Sequence, residues 1–112
     1  MQAVDIVQRQ VEAYNARDLK RFLACYADEV RAYRPPALEP VIVGKAAFSE
    51  FYANERFNRP ALHAEIVSRM VLGHTVIDHE RITGVLAQPF EVAVVYLVEH
   101  GLIQCTWAFA AG

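Results

Sequence analysis

Charge of one sign is what this chain has little of to spare: 11 Lys and Arg stand against 13 Asp and Glu, a formal net charge of −2. That balance removes the basic stripe a nucleic-acid binder needs, so no nucleic-acid partner is expected. Long apolar runs are missing too. The longest, such as Val92–Val98, is too short to cross a bilayer, and no membrane partner is expected. The opening MQAVDIVQRQ lacks the basic start and apolar core of a signal peptide, which makes the cytoplasm the expected location. Cysteine is scarce. Cys25 and Cys105 are the only two, and with no secretory signal they are expected to be reduced and to behave as small hydrophobes. No neighbouring base or cationic pocket marks either as a nucleophile. Repeats, linkers and low-complexity segments are absent, so residues 1–112 read as one domain with one core.

What is present is an apolar excess. Hydrophobic residues make up 54% of the chain and charged ones 21%, more apolar surface than so short a chain can easily hide, which fits an internal pocket, a subunit interface, or both. The first half has helical periodicity. Over Ala3–Ala16, Val4, Val7, Val11 and Tyr14 form one stripe with Ile6, Gln10 and Ala13 beside it. Asp18 is placed to cap a second helix carrying Leu19, Phe22, Leu23 and Tyr26. Val30–Arg34 is a short strand stopped by Pro35-Pro36. A loop through Pro40 leads to Gly44 and a third helix, Lys45–Phe57, with Phe48, Phe51 and Tyr52 on one face. The second half reads as strands over Leu62–Leu72, Thr75–Thr83, Phe90–His100 and Leu102–Phe109, with Gly73-His74 and His100-Gly101 as tight hairpin connections. Helices followed by an antiparallel meander make an α+β layout.

The strand Thr75–Thr83 stands out. Val76, Asp78, Glu80 and Ile82 point one way, and Ile77, His79, Arg81 and Thr83 the other. Neither set is purely apolar, and ionisable residues inside a β-rich core must be paired or line a cavity. His79 and Arg81 share a face roughly 6–7 Å apart along the strand. A histidine is a serviceable general base near neutral pH, and an arginine can hold an enolate or carboxylate oxygen. The same pair could instead form a structural network with Asp78 or Glu80 across strands. His63, Glu65 and Arg69 are expected on a common face of the neighbouring strand, with the surface or an interface the favoured place for His63 and Glu65. Metal chemistry has little support. The sequence Asp78-His79-Glu80 and four histidines supply ligand types, but consecutive strand residues face opposite ways and cannot converge on one ion without a bulge. Gly44-Lys45 lacks the remaining residues of a P-loop.

Three segments carry a family resemblance: Tyr14-Asn-Ala-Arg-Asp18-Leu, Phe22-Leu-Ala-Cys-Tyr-Ala-Asp28, and Gly44-Lys-Ala-Ala-Phe-Ser-Glu-Phe-Tyr52. Val98-Glu-His-Gly-Leu-Ile103 followed by Trp107 is similar to a last hairpin of the same kind. In this order, across essentially the whole chain, they resemble the nuclear-transport-factor-2-like superfamily. That group includes ketosteroid isomerases, limonene-epoxide hydrolases, scytalone dehydratases and SnoaL-type polyketide cyclases. His63–Arg69 and Val76–Gly84 look like its SnoaL-like bacterial subgroup, loosely called steroid-isomerase-like. The resemblance implies a cone-shaped, curved antiparallel sheet wrapped around three helices from the N-terminal half. It also implies a conical pocket for a small apolar organic ligand, and no cofactor. It puts Ile77, His79, Arg81 and Thr83 in the pocket, with Val92, Val94, Tyr96 and Val98 on the next strand and Gln104, Thr106 and Ala108 on the last. Asp78 and Glu80 then face the convex side. The opposite face of the last strand, Ile103, Cys105, Trp107 and Phe109, becomes an apolar patch suited to a homodimer.

The known chemistries of the superfamily transfer poorly. At the ketosteroid-isomerase positions, Arg34 stands for the base, Gln10 for the oxyanion tyrosine and a residue near Val94 for the second aspartate, while Tyr26 and Tyr52 match supporting tyrosines. Against the epoxide hydrolases, Glu80-Arg81 is kept, but Thr83 and a residue near Ala108 replace the two aspartates. Neither mechanism is expected. The expected alternative is proton transfer next to a carbonyl (isomerisation, cyclisation or dehydration) with His79 and Arg81 as catalytic residues. Gln10, Tyr26, Tyr33, Arg34, Tyr52, Thr83, Val94, Tyr96 and Thr106 are expected to line the pocket. The same fold also serves as a non-catalytic binding or interaction module.

Overall fold

A computed structural model describes residues 1–111. Helix α1, Ala3–Asn15, turns Ile6, Val7, Gln10 and Val11 inward, as its apolar stripe requires. Its first turn is closed by the Gln2 backbone N–H donating to the Asp5 carboxylate at 2.9 Å. Asp18 caps α2, Leu19–Leu23, by accepting from the Arg21 N–H at 3.1 Å. The chain then enters strand β1, Tyr26–Tyr33. Tyr26, expected on the second helix, is therefore the first residue of a strand. The Cys25 carbonyl accepts from the Ile103 N–H at 2.9 Å, and that ladder contact takes over where the short helix stops.

Strand β2, Ile42–Val43, lies in what the sequence presents as a loop, and pairs antiparallel with β1. Helix α3 covers Lys45–Glu55. The remaining strands are β3, His63–Leu72; β4, Thr75–Thr83; β5, Phe90–Glu99; and β6, Leu102–Ala110. They form the expected antiparallel meander. The single curved, unclosed sheet runs β2-β1-β6-β5-β4-β3. It is mixed rather than wholly antiparallel, because β1 runs parallel to β6. The helices cover one face of it. Val7, Phe22, Val30, Phe48, Val76 and Ile103 are 1% exposed or less and make the dry centre of the core.

The sheet has three register shifts, one of them on β1 between Tyr26 and Arg31, and the other two change which side chains of the meander look inward. The β3–β4 register shifts between Ile66 and Ser68, leaving Val67 as the extra residue. The β5–β6 register steps from Leu97↔Cys105 to Val98↔Ile103, leaving Gln104 unpaired. A bulge of one residue reverses the facing of everything beyond it. Ile103 consequently lies in the core, fully buried, and not on the outer face where strict alternation puts it. Gln104 lies outside the cavity, and its amide donates to the Glu99 carbonyl at 2.9 Å. On β3 the bulge separates residues that alternation groups together. Glu65 pairs with Arg81 on the outer face, whereas Arg69 pairs with Asp78 beneath α1.

Candidate functional site

A cavity of about 310 Å³ lies between the concave face of the sheet and the helices. Its closed side is aromatic. Phe22 sits 4.6 Å from Tyr52 and 4.9 Å from Tyr26, ring centre to ring centre. Tilted and edge-to-face contacts of this kind add about 0.5–1.5 kcal/mol each beyond area burial. The aliphatic wall comes from β4, β5 and β6, where Ile82, Val92, Val94 and Ala108 face inward. Gln10, Tyr26, Tyr33, Arg34, Tyr52, Val94, Tyr96 and Thr106 all line this space.

His79, Arg81 and Thr83 do not. Strand β4 is turned the other way: Val76, Asp78, Glu80 and Ile82 are buried, while the alternate set is half-buried or exposed. The physical reason is apolar content. Val76 is fully buried and Ile82 nearly so, whereas the other set offers only Ile77 to the core. Pairing settles the parity: Val76, Asp78 and Glu80 stand opposite Tyr96, Val94 and Val92, which already face inward. His79 instead pairs with Glu91 on the outer face. Thr83 donates its hydroxyl to the His63 carbonyl at 3.4 Å. Asp78 and Glu80, expected on the convex side, belong to the interior.

The two buried carboxylates are held differently. Asp78 is fully buried and takes a two-pronged ion pair from Arg69, with Nε–Oδ1 at 2.6 Å and Nη2–Oδ2 at 2.9 Å. Arg69 also donates from Nη1 to Gln8 on α1 at 2.8 Å. Neither partner lines the cavity; the pair joins β3, β4 and α1. Glu80 has no cation on it. Among the described residues its only side-chain partner is the Tyr96 hydroxyl, which donates to Oε2 at 3.0 Å. Burial pushes the Glu80 carboxyl up to about 7; Asp78 adds to that, while the Tyr96 hydrogen bond and the more distant Arg69 oppose it. At neutral pH it is therefore poised between acid and base.

Behind Glu80 runs a hydrogen-bond chain. Gln10 Nε2 donates to the Tyr96 oxygen at 3.1 Å, and the Tyr26 hydroxyl donates to Gln10 Oε1 at 3.0 Å. Every proton has one direction to go, so the chain fixes the Tyr96 donor on Oε2 and leaves Oε1 without a side-chain donor. The Tyr26 and Tyr96 phenols are raised well above their ordinary acidity range by burial, so they remain neutral donors. Tyr14 and Tyr52 also line the cavity, and burial raises both phenols. Arg34 and Arg56 stand at the more open end with Phe51. Among the described residues no group of three or more His, Cys, Asp or Glu side chains converges as a metal site requires.

The residues missed in the sequence are Glu80, Tyr14, Phe51 and Arg56. Tyr14 was legible, since it follows Gln10 by one helical turn on the same face. Glu80 was legible only through its neighbours, because its parity follows from pairing with β5 and not from its own strand.

Comparison with known proteins agrees with this architecture. The SnoaL-like domain family matches residues 7–105. An uncharacterized cystatin-fold protein from Novosphingobium aromaticivorans superposes with a TM-score of 0.87 at 23% identity, over 96% of this chain and 97% of that one. A Kribbella flavida protein provisionally assigned as a ketosteroid isomerase gives 0.84 at 20% identity, over 99% and 78%. A Sinorhizobium meliloti protein provisionally assigned as a polyketide cyclase gives 0.80 at 16%, over 96% and 99%. No curated protein matches in sequence. At these identities the solved structures speak for the fold alone, a cystatin-like α+β architecture. With the match spanning nearly its whole length, the chain belongs to the SnoaL-like domain family.

Proposed function

We propose that the cavity binds a small, largely apolar organic molecule and that Glu80 moves a proton to or from a carbon next to its carbonyl. The observation that carries this reading is a cavity-lining carboxyl raised to about 7, held by a single hydroxyl and with no cation paired to it among the described residues. A base poised near the working pH is what such a transfer needs. In its ionised form Glu80 takes the α-proton, the C–H electron pair moves into the carbonyl, and an enolate forms. Returning the proton at another carbon gives an isomerisation, giving it to a departing β-hydroxyl that leaves as water gives a dehydration, and attack by the enolate carbon on a second carbonyl, whose oxygen takes the proton, gives a cyclisation. The neutral Tyr14 and Tyr52 phenols are the candidate donors to the enolate oxygen. The role first assigned to His79 and Arg81 passes to Glu80 and these tyrosines, since His79 and Arg81 do not line the cavity. The isomerase and cyclase assignments of two structural relatives are consistent with this reaction class.

A non-catalytic binding module is the second reading. It is favoured by Glu80 being the only carboxyl lining the cavity among the described residues, with no histidine beside it. One experiment separates the two. With 2-tetralone as the probe, NMR follows exchange of its α-protons for deuterium. Wild type should accelerate exchange above buffer, with a rate that rises as pH passes through about 7. Glu80→Gln should lower it by about 10²-fold or more while 2-tetralone still binds. Binding without any acceleration by wild type would leave only the binding module.

We further propose a homodimer through the outer sheet face. Cys105, Trp107 and Phe109 of β6 lie on it beside Val95 and Leu97 of β5, and Ile103 leaves the set. Trp107 is stacked on Tyr33 at 5.5 Å, and Phe109, Met70 and Leu72 are 45–65% exposed. A reducing cytoplasm fits the two free cysteines.

A further inference from the structure

The proton-transfer reading leaves two arginines unused. Arg34 follows β1 and Arg56 follows α3, yet both place their guanidinium carbons against one ring, that of Phe51, at 5.6 and 5.3 Å from its centre. All three residues line the cavity. Among the described residues the ion pairs are Lys45–Asp28, Arg69–Asp78 and His79–Glu91, so neither rim arginine has a carboxylate partner. Arg56 spends one N–H on the neighbouring Glu55 carbonyl at 2.9 Å and reaches the Tyr14 hydroxyl with another, which leaves the rest of its fork for a ligand. Two cations held within 5.6 Å of one ring centre stand no more than about 11 Å apart and repel each other. An anion between them would remove that repulsion and gain two charge-assisted hydrogen-bonding partners at once.

The depth of the cavity sharpens the contrast. Glu80, at the buried end, is 6% exposed, while Arg34 is exposed and Arg56 half-buried. Phe22, Tyr52 and Val94 also line the cavity and can pack an apolar body, and among the described residues the lining holds no cation besides these two arginines. A ligand filling this space meets positive charge at one end and a single carboxyl at the other. The guanidinium edge presents parallel N–H donors that match the two coplanar oxygens of a carboxylate.

We propose that the ligand of this cavity is a planar, apolar monocarboxylic acid. Its carboxylate sits between Arg34 and Arg56 at the rim, and its body extends inward toward Glu80. This rests on the proposed function only in taking the cavity as the ligand site; it does not require Glu80 to be catalytic.

The test compares 2-naphthoate with its neutral isostere 2-naphthamide by isothermal titration calorimetry, on wild type and on Arg34→Met/Arg56→Met. The methionines keep the aliphatic contact with Phe51 and remove the charge, and thermal unfolding checks that the variant is folded. Naphthoate should bind wild type about tenfold or more tighter than naphthamide. The double variant should lose that preference, and added salt should reduce it. Equal binding of the two probes to wild type, or a naphthoate preference that survives in the double variant, would overturn the anion site and leave the apolar cavity reading intact. If neither probe binds while 2-tetralone does, the acid is rejected and the ketone reading stands. If none of the three binds, the cavity is not the ligand site and both proposals fall.

Discussion

Glu80 is the single carboxyl lining the cavity among the described residues, and its environment can be tested apart from any ligand. Glu80 faces Asp78 on its own strand, Arg69 on β3, Tyr96 on β5, Tyr26 on β1, Tyr14 on α1 and Tyr52 on α3. Its carboxyl titrates near 4.5 when unperturbed and at about 7 in the fold, with burial as the largest cause. Between those values the native state holds a proton that the unfolded chain has released, so Glu80 lowers stability as pH rises through this window. Below it both states are protonated and the penalty vanishes. Above it the penalty is complete, on the order of 3 kcal/mol at about 1.4 kcal/mol per pH unit. Glu80→Gln keeps an acceptor for Tyr96 and removes the charge. Urea unfolding should therefore find the variant more stable than wild type at pH 8 and indistinguishable from it at pH 4. A variant less stable than wild type at pH 8 would mean that the carboxylate is stabilised by something other than the contacts described.

At the scale of elements, the joints between strands and helices place the site. Asn15, the last residue of α1, clamps β3 by accepting from the Ala64 N–H at 2.7 Å and donating to the Ala64 carbonyl at 3.0 Å. Ala64 lines the cavity, so this clamp sets one wall. Gly84, which ends β4, has φ +81°, and a Cβ there would meet the Ala61 carbonyl oxygen at 2.1 Å and the Leu62 nitrogen at 2.6 Å. Backbone cannot yield as a flexible side chain does. Gly84→Ala should cost at least about 2 kcal/mol by denaturant unfolding. A loss near zero would show that the Ala61–Leu62 segment gives way freely. Helix, strand and hairpin positions were largely legible, because apolar periodicity, the Asp18 cap and the Gly73 and Gly101 turns are local signals. The Val67 and Gln104 bulges were not: an extra residue in a ladder exists only relative to the partner strand. That is why strict alternation puts Ile103 and Gln104 on the wrong faces and groups Arg69 with His63 and Glu65.

For the whole molecule, the sheet has two faces with different fates. The concave one meets the helices and encloses the cavity; the outer one keeps Trp107, Phe109, Val95 and Leu97 together, with no helix or strand among the described residues over them. If that face is a subunit interface, sedimentation should show a dimer. Phe109→Glu, at a side chain already 45% exposed, should then yield a folded monomer. A monomeric wild type would remove the dimer from the account without touching the cavity.

The sequence by itself determined the α+β class and the order of elements, because both follow from local periodicity and turn signals, and through the family resemblance it supplied the inward set of β5. It also placed Gln10, Tyr26, Arg34 and Tyr52 at the cavity through the family resemblance. It could not choose between the faces of β4, where each alternating set mixes charge with apolar side chains. Only the tertiary structure decided that. Pairing with β5 brought Val76 and Ile82 into the core, gave Asp78 its Arg69 and Glu80 its Tyr96, and turned His79 and Arg81 outward. A buried charge is tolerated only where a partner from another element meets it, and that partner is a property of the packed molecule, not of the strand.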